Sequence, residues 1–112
     1  MKRYCLALDL KDDPALIEEY ESIHRQVWPE NIKGILDAGI TVMDIYRTGN
    51  RLFMIMEVDE TFSFEKKAAA DSANASVQQW EELMWKFQQP LPWARPGEKW
   101  VVMEQIFSLP HE

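Results

Sequence analysis

From Ile40 to Asp59 the side chains alternate with a period of two, interrupted once by Thr48-Gly49-Asn50. Successive residues of a strand point to opposite faces, so this pattern predicts two strands, Ile40 to Arg47 and Arg51 to Asp59, folded into a hairpin. Alternation also opens the chain, from Arg3 to Asp9, and closes it, from Val101 to Leu109. Between the strands the period becomes helical. Asp13-Pro14 is an N-cap followed by a proline at the first helical position, and the helix it starts runs to about Val27. Trp28-Pro29 ends it, because the residue before proline is pushed out of the helical region. Pro29 then opens a short helix with Ile32, Ile35 and Leu36 on its apolar face and Gly39 as C-terminal cap.

After the hairpin, residues 62–73 read as helical from their alanine content, Asn74 interrupts, and Ala75 to Phe87 carries Val77, Trp80, Leu83, Met84 and Phe87 at helical spacing. Residues 88–100 read as a proline- and tryptophan-containing loop long enough to be a lid. The order β-α-β-β-α-β, with doubled helices, predicts an α+β fold: a ferredoxin-like four-stranded antiparallel sheet with helices on one face, in a single domain over residues 1–112.

Such a sheet leaves one face open. One parity set is almost wholly apolar: Tyr4, Leu6 and Leu8 with Leu52, Met54, Met56 and Val58. The other mixes carboxylates with apolar residues: Asp9 with Cys5 and Ala7, Asp44 with Val42 and Tyr46, Glu57 with Phe53 and Ile55, Glu104 with Val102 and Ile106. Two readings of that second face are open, a plain solvent-facing sheet or a pocket or subunit interface. The apolar content favours two sheets packed face to face in a homodimer, leaving a polar-lined cavity in each subunit.

Charge narrows the partner. The 112 residues carry a formal net charge of −7, which disfavours nucleic acid and anionic membrane surfaces. No apolar run approaches the roughly 20 residues of a membrane span. The single cysteine makes no internal disulfide, and the chain starts directly in a strand pattern, so a cytoplasmic setting is expected. A metal site is not expected: only two histidines occur, His24 and His111, and neither has a partner at ligand spacing. Glycine-rich phosphate loops and nucleophile elbows are also missing.

His24 remains. On the wheel of the first helix, Leu16, Tyr20, Ile23 and Val27 form an apolar stripe, and His24 lies roughly 70° from its centre. A histidine at that border is held in place yet reachable. Taken alone it reads first as a boundary residue with one hydrogen bond, and second as a proton-transfer group near neutral pH. Five tryptophans, among them Trp80, fit core packing or the aromatic plate of a sugar site.

The spacing Tyr20-x-x-x-His24-x-x-x-Trp28-Pro29-Glu30 resembles the L-rhamnose mutarotase family. Further residues carry the resemblance along nearly the whole chain: Glu19, Ile45-Tyr46, Asn50 to Phe53, Glu57, Gln78, Trp80, Met84 and the ending Ile106-Phe107-Ser108-Leu109-Pro110. It implies a dimeric α/β-barrel assembly, no cofactor, and interconversion of the α and β anomers of a free monosaccharide. His24 would be the catalytic proton donor, Tyr20 a substrate contact and Trp80 a wall of the site. Met43 stands where the family has a second substrate-contacting tyrosine, and Glu81 where it has a second tryptophan. Both departures bear on the sugar more than on the reaction. L-rhamnose is the first expectation and L-fucose the alternative. A carboxylate such as Glu57 or Glu104 is expected to anchor hydroxyls or orient His24. Rival readings are a non-catalytic sugar-binding domain and a haem-binding or oxygen-using dimeric barrel with His24 as ligand.

Overall fold

A computed structural model describes residues 2–110, so His111 lies outside the described residues. The elements follow the order β1 (Lys2–Leu10), α1 (Pro14–His24), α2 (Pro29–Asp37), β2 (Ile40–Thr48), β3 (Arg51–Val58), α3 (Phe64–Ser72), α4 (Ala75–Trp85), β4 (Gln88–Gln89) and β5 (Val101–Val102). The sheet is antiparallel throughout. Its order is β2-β3-β1-β4, with β5 also on β1. The α+β antiparallel architecture expected from the sequence is therefore present. Among the described residues, no helix is long and apolar enough to cross a membrane.

The local signals act as expected at most boundaries. Asp13 Oδ1 accepts from the amides of Ala15 at 2.9 Å and Leu16 at 3.3 Å, capping α1. Asn74 caps α4 in the same way. Gly39 follows α2 with φ of 93°, and a Cβ there would collide with the Asp59 carboxylate and the Thr61 hydroxyl. Gly49 takes positive φ at the first central position of the hairpin turn. The first helix is shorter than expected. It closes at His24, with Arg25 as cap, rather than at Val27.

The C-terminal third needs two corrections. The fourth strand position is filled by two short pieces, not by one strand from Val101 to Leu109. Gln88–Gln89 pairs with Asp9 and Leu10, and Val101–Val102 pairs with Leu6 and Ala7, so the expected loop begins only at Pro90. Beyond Met103, whose amide still bonds to the Cys5 carbonyl at 2.7 Å, residues 104–110 leave the sheet. Ile106, Phe107 and Leu109 are then 92%, 74% and 73% exposed. Facing also differs. Val102 lies opposite Leu6, so it belongs to the helix-covered face and not to the carboxylate face.

A bulge between Ile40 and Val42 makes a related adjustment in β2. Ile40 pairs with Val58 and is buried on the helix side, whereas Val42 pairs with Glu57 on the open side. One extra residue lets two positions of equal parity take opposite faces. The core consists of two clusters under the helices. One is built from Leu10, Tyr20, Leu52, Trp80, Met84 and Phe87, the other from Leu6, Ile40, Met54, Met56 and Val58. Trp100 packs against both.

Candidate active site

Between the helices and the apolar face of the sheet lies a cavity of about 740 Å³. Its floor is sheet: Leu6 of β1, Met43 and Ile45 of β2, Met54 and Met56 of β3. Tyr20 and His24 enter from α1, Asn31 from α2, Trp80 and Glu81 from α4. Gln88, Lys99 and Trp100 close the side toward the C-terminus. Residues 99 and 100 thus serve their own chain's cavity.

His24 stands where its helix ends. The carbonyl of Tyr20, one turn back, lies 2.9 Å from His24 Nδ1. A carbonyl only accepts, so Nδ1 carries the proton and donates it there. In the neutral ring Nε2 is then the unprotonated nitrogen, left for an occupant of the cavity. The ring is packed between aromatics. Its centroid is 4.2 Å from that of Tyr20 and 5.5 Å from that of Trp80, and Trp80 in turn meets Trp28 edge-on at 5.2 Å. Burial pushes the His24 pKa below its usual value, with the Tyr20 carbonyl opposing.

Tyr20 is almost fully buried, and its hydroxyl accepts a hydrogen bond from Gln88 Nε2 at 3.3 Å. Burial pushes its pKa up to about 12; the Gln88 bond works against this and the charge of Glu81 adds to it. The hydroxyl stays protonated, and its hydrogen is not used by Gln88. Two ion pairs complete the polar wall, Glu81 with Lys99 and Lys67 with Asp71.

The structure therefore brings Tyr20, His24 and Trp80 together. It does not bring Glu57 to them. That carboxylate pairs with Arg3 at 3.2 Å on the opposite face, and Glu104 is not in the cavity wall. The orienting partner of His24 is a backbone carbonyl, and the cavity's carboxylates are Asp71 and Glu81. The expected support of His24 by Glu57 or Glu104 is corrected accordingly. Period two had placed Glu57 on the open face, and the cavity lies on the other.

Asn31, Gln88 and Lys99 were not singled out from the sequence. Asn31 had a signal, since it stands four residues before Ile35 on the apolar side of α2. Gln88 and Lys99 had none, because they sit at the ends of an irregular segment. Met43 and Glu81, the two positions that depart from the family pattern, both fall in the cavity wall. Among the described residues, no cluster of three or more His, Cys, Asp or Glu could hold a metal ion.

A family model described as L-rhamnose mutarotase matches residues 3–109. An L-fucose mutarotase of Xanthomonas campestris pv. campestris is 48% identical over 111 residues, covering 97% of this chain and 89% of that protein. A UPF0734 protein of Dictyostelium discoideum is 36% identical over 115 residues, covering 96% and 90%. Among solved structures, the L-rhamnose mutarotase of Formosa agariphila superposes with a TM-score of 0.72 at 20% identity, over 98% of this chain and 100% of that one. Tetracenomycin F2 cyclase of Streptomyces glaucescens shares the fold, with a TM-score of 0.63 at 15% identity over 98% and 100%.

Proposed function

This chain belongs to the L-rhamnose mutarotase family, and on that premise we propose that it interconverts the α and β anomers of a free 6-deoxy-L-hexose with His24 as the proton-transfer group. As a member of the rhamnose/fucose mutarotases it is a carbohydrate isomerase. The observation that carries the proposal is the His24 ring. One nitrogen is fixed by its own helix, the other is left over, and the whole is held against Tyr20 and Trp80 in the cavity wall.

Ring opening moves two protons. His24 Nε2 takes the proton of the anomeric hydroxyl as C1–O1 becomes a carbonyl and the bond from C1 to the ring oxygen breaks. The Tyr20 hydroxyl, kept protonated, supplies a hydrogen bond or its proton to the ring oxygen as that atom gains charge. Rotation about C1–C2 presents the other carbonyl face, and the reverse transfers close the ring. Trp80 offers a plate for the C–H face of the sugar. The methionine floor of Met43, Met54 and Met56 suits a methyl group in place of a hydroxymethyl.

Both named sugars fit this chemistry. The 48% identity to an L-fucose mutarotase, together with Met43 and Glu81 in the cavity wall, puts L-fucose ahead of L-rhamnose as substrate. Self-association belongs to the same reading. The open face carries Cys5, Phe53, Ile55 and Tyr46, and Ile106 and Phe107 of the C-terminal segment are exposed, surfaces that suit a second copy of this chain.

The test is saturation-transfer proton NMR on the anomeric signals, with each sugar at equilibrium and catalytic protein. Wild type is expected to pass magnetisation between the α and β signals faster than buffer does. His24→Asn is expected to slow this by about 10²- to 10⁴-fold. Exchange as fast as wild type in that variant removes His24 from the role.

A further inference from the structure

Asn31 and Gln88 are the buried polar side chains of the cavity wall that have an unused acceptor. They are 6% and 4% exposed, and neither Asn31 Oδ1 nor Gln88 Oε1 meets a hydrogen-bond donor or solvent. Their origins are independent, α2 for one and β4 for the other, yet both line the same cavity. A buried carbonyl without a donor destabilises a fold, and such groups are retained where a ligand completes them. The ion pairs of the same wall are already satisfied within the protein.

We propose that Asn31 and Gln88 are the hydroxyl-reading pair of this site and set which sugar it turns over. The proposal rests on the cavity being the sugar site. Each amide would accept a hydrogen bond from a sugar hydroxyl through its free oxygen. The terminal torsions of Asn and Gln are broad and roughly two-fold, so each amide can turn toward an occupant at small cost. As it stands, Gln88 Nε2 donates to the Tyr20 hydroxyl, which leaves Oε1 to accept from the sugar and the tyrosine hydrogen free. Gln88 thereby links recognition to catalysis: the side chain that reads a hydroxyl also touches Tyr20, which stacks on His24. L-fucose and L-rhamnose differ in configuration at C2 and C4, so the hydroxyls on those carbons are the ones a selective pair must read.

The experiment measures anomer exchange for L-fucose, L-rhamnose and their 2-deoxy and 4-deoxy forms, first in wild type and then in Gln88→Met and Asn31→Leu. In wild type, removing the hydroxyl that is read should lower kcat/KM by about 10-fold or more. In the matching variant that penalty should disappear: parent and deoxy sugar are turned over with the same kcat/KM. The wild-type half needs no variant to fold, and thermal melts check the variants. Equal turnover of parent and deoxy sugars by wild type overturns the proposal. So do unchanged sugar preferences in both variants, or a uniform loss of kcat for every sugar. These outcomes are separate from failure of the functional reading, which is judged by His24→Asn.

Discussion

The two faces of the sheet are built from the same strands and treat polar groups in opposite ways. On the open face the carboxylates of Asp9 and Glu57 are paired. Asp9 accepts from Arg51 at 2.7 and 3.2 Å, and Glu57 pairs with Arg3. Arg51 also lies under the Trp93 ring, 5.3 Å from its centroid. On the covered face most of the surface is methionine, leucine and isoleucine, but the polar groups that border it are incompletely satisfied: one nitrogen of His24, the hydrogen of Tyr20 Oη, and the oxygens of Asn31 and Gln88. Charge alone does not mark a site. Polar groups that are held in place but left unfinished point to one better, because a ligand can complete them.

The difference between the faces can be broken by substitution. The largest expected effect is the loss of exchange in His24→Asn set out above, with little change in melting temperature, since the removed ring is only partly buried. Trp80→Ala comes next. Trp80 is a buried member of the core that also touches His24, so its loss should cost about 3–5 kcal/mol of stability by chemical denaturation and abolish exchange as well. An open-face substitution that did both would break the comparison.

Acid sharpens it. Burial holds the His24 pKa below 6.5, so catalysed exchange should stay level through neutral pH and fall only on the acid side of that value. The unfolded chain takes up a proton at the ordinary histidine pKa, whereas the folded chain does so only at lower pH. His24 therefore contributes stability above 6.5 that is lost as pH falls through the folded value. A rate profile centred at or above 6.5 would show that the histidine is not desolvated as the cavity geometry requires.

Smaller effects belong to the open face. Phe107→Asp should shift the protein toward the one-chain mass in sedimentation if the tail and the open face meet a second copy, and should leave the melting temperature of the separated chain unaltered. Smallest is Glu57→Gln. Its pair with Arg3 is solvent-exposed, so the change should cost about 0–1 kcal/mol and leave exchange unaltered. A loss of exchange there would return Glu57 to the role that its position opposes.

Much of this molecule was legible before any tertiary structure. Period two assigned the faces of β1, of β3 and of β2 beyond its bulge correctly. The Asp13-Pro14, Asn74 and Gly39 signals marked helix ends, and a spacing of four put Tyr20 and His24 side by side. These features are local. The chirality and hydrogen-bonding geometry of a single strand or helix fix which way each side chain points within its own element. What stayed hidden depends on which elements meet. That β1's free edge takes Gln88–Gln89 and Val101–Val102 with an irregular segment between them is decided by pairing between residues 78 to 96 positions apart. So is the delivery of Gln88 and Lys99 to a cavity that α1 opens. The bulge at Ile40/Val42 and the facing of Val102 were likewise settled by packing, which inverted the parity that the residues show alone. The sequence determined the chemistry the chain carries; only the tertiary structure decided which polar groups find partners and which are left without one, because that depends on contacts no local period encodes.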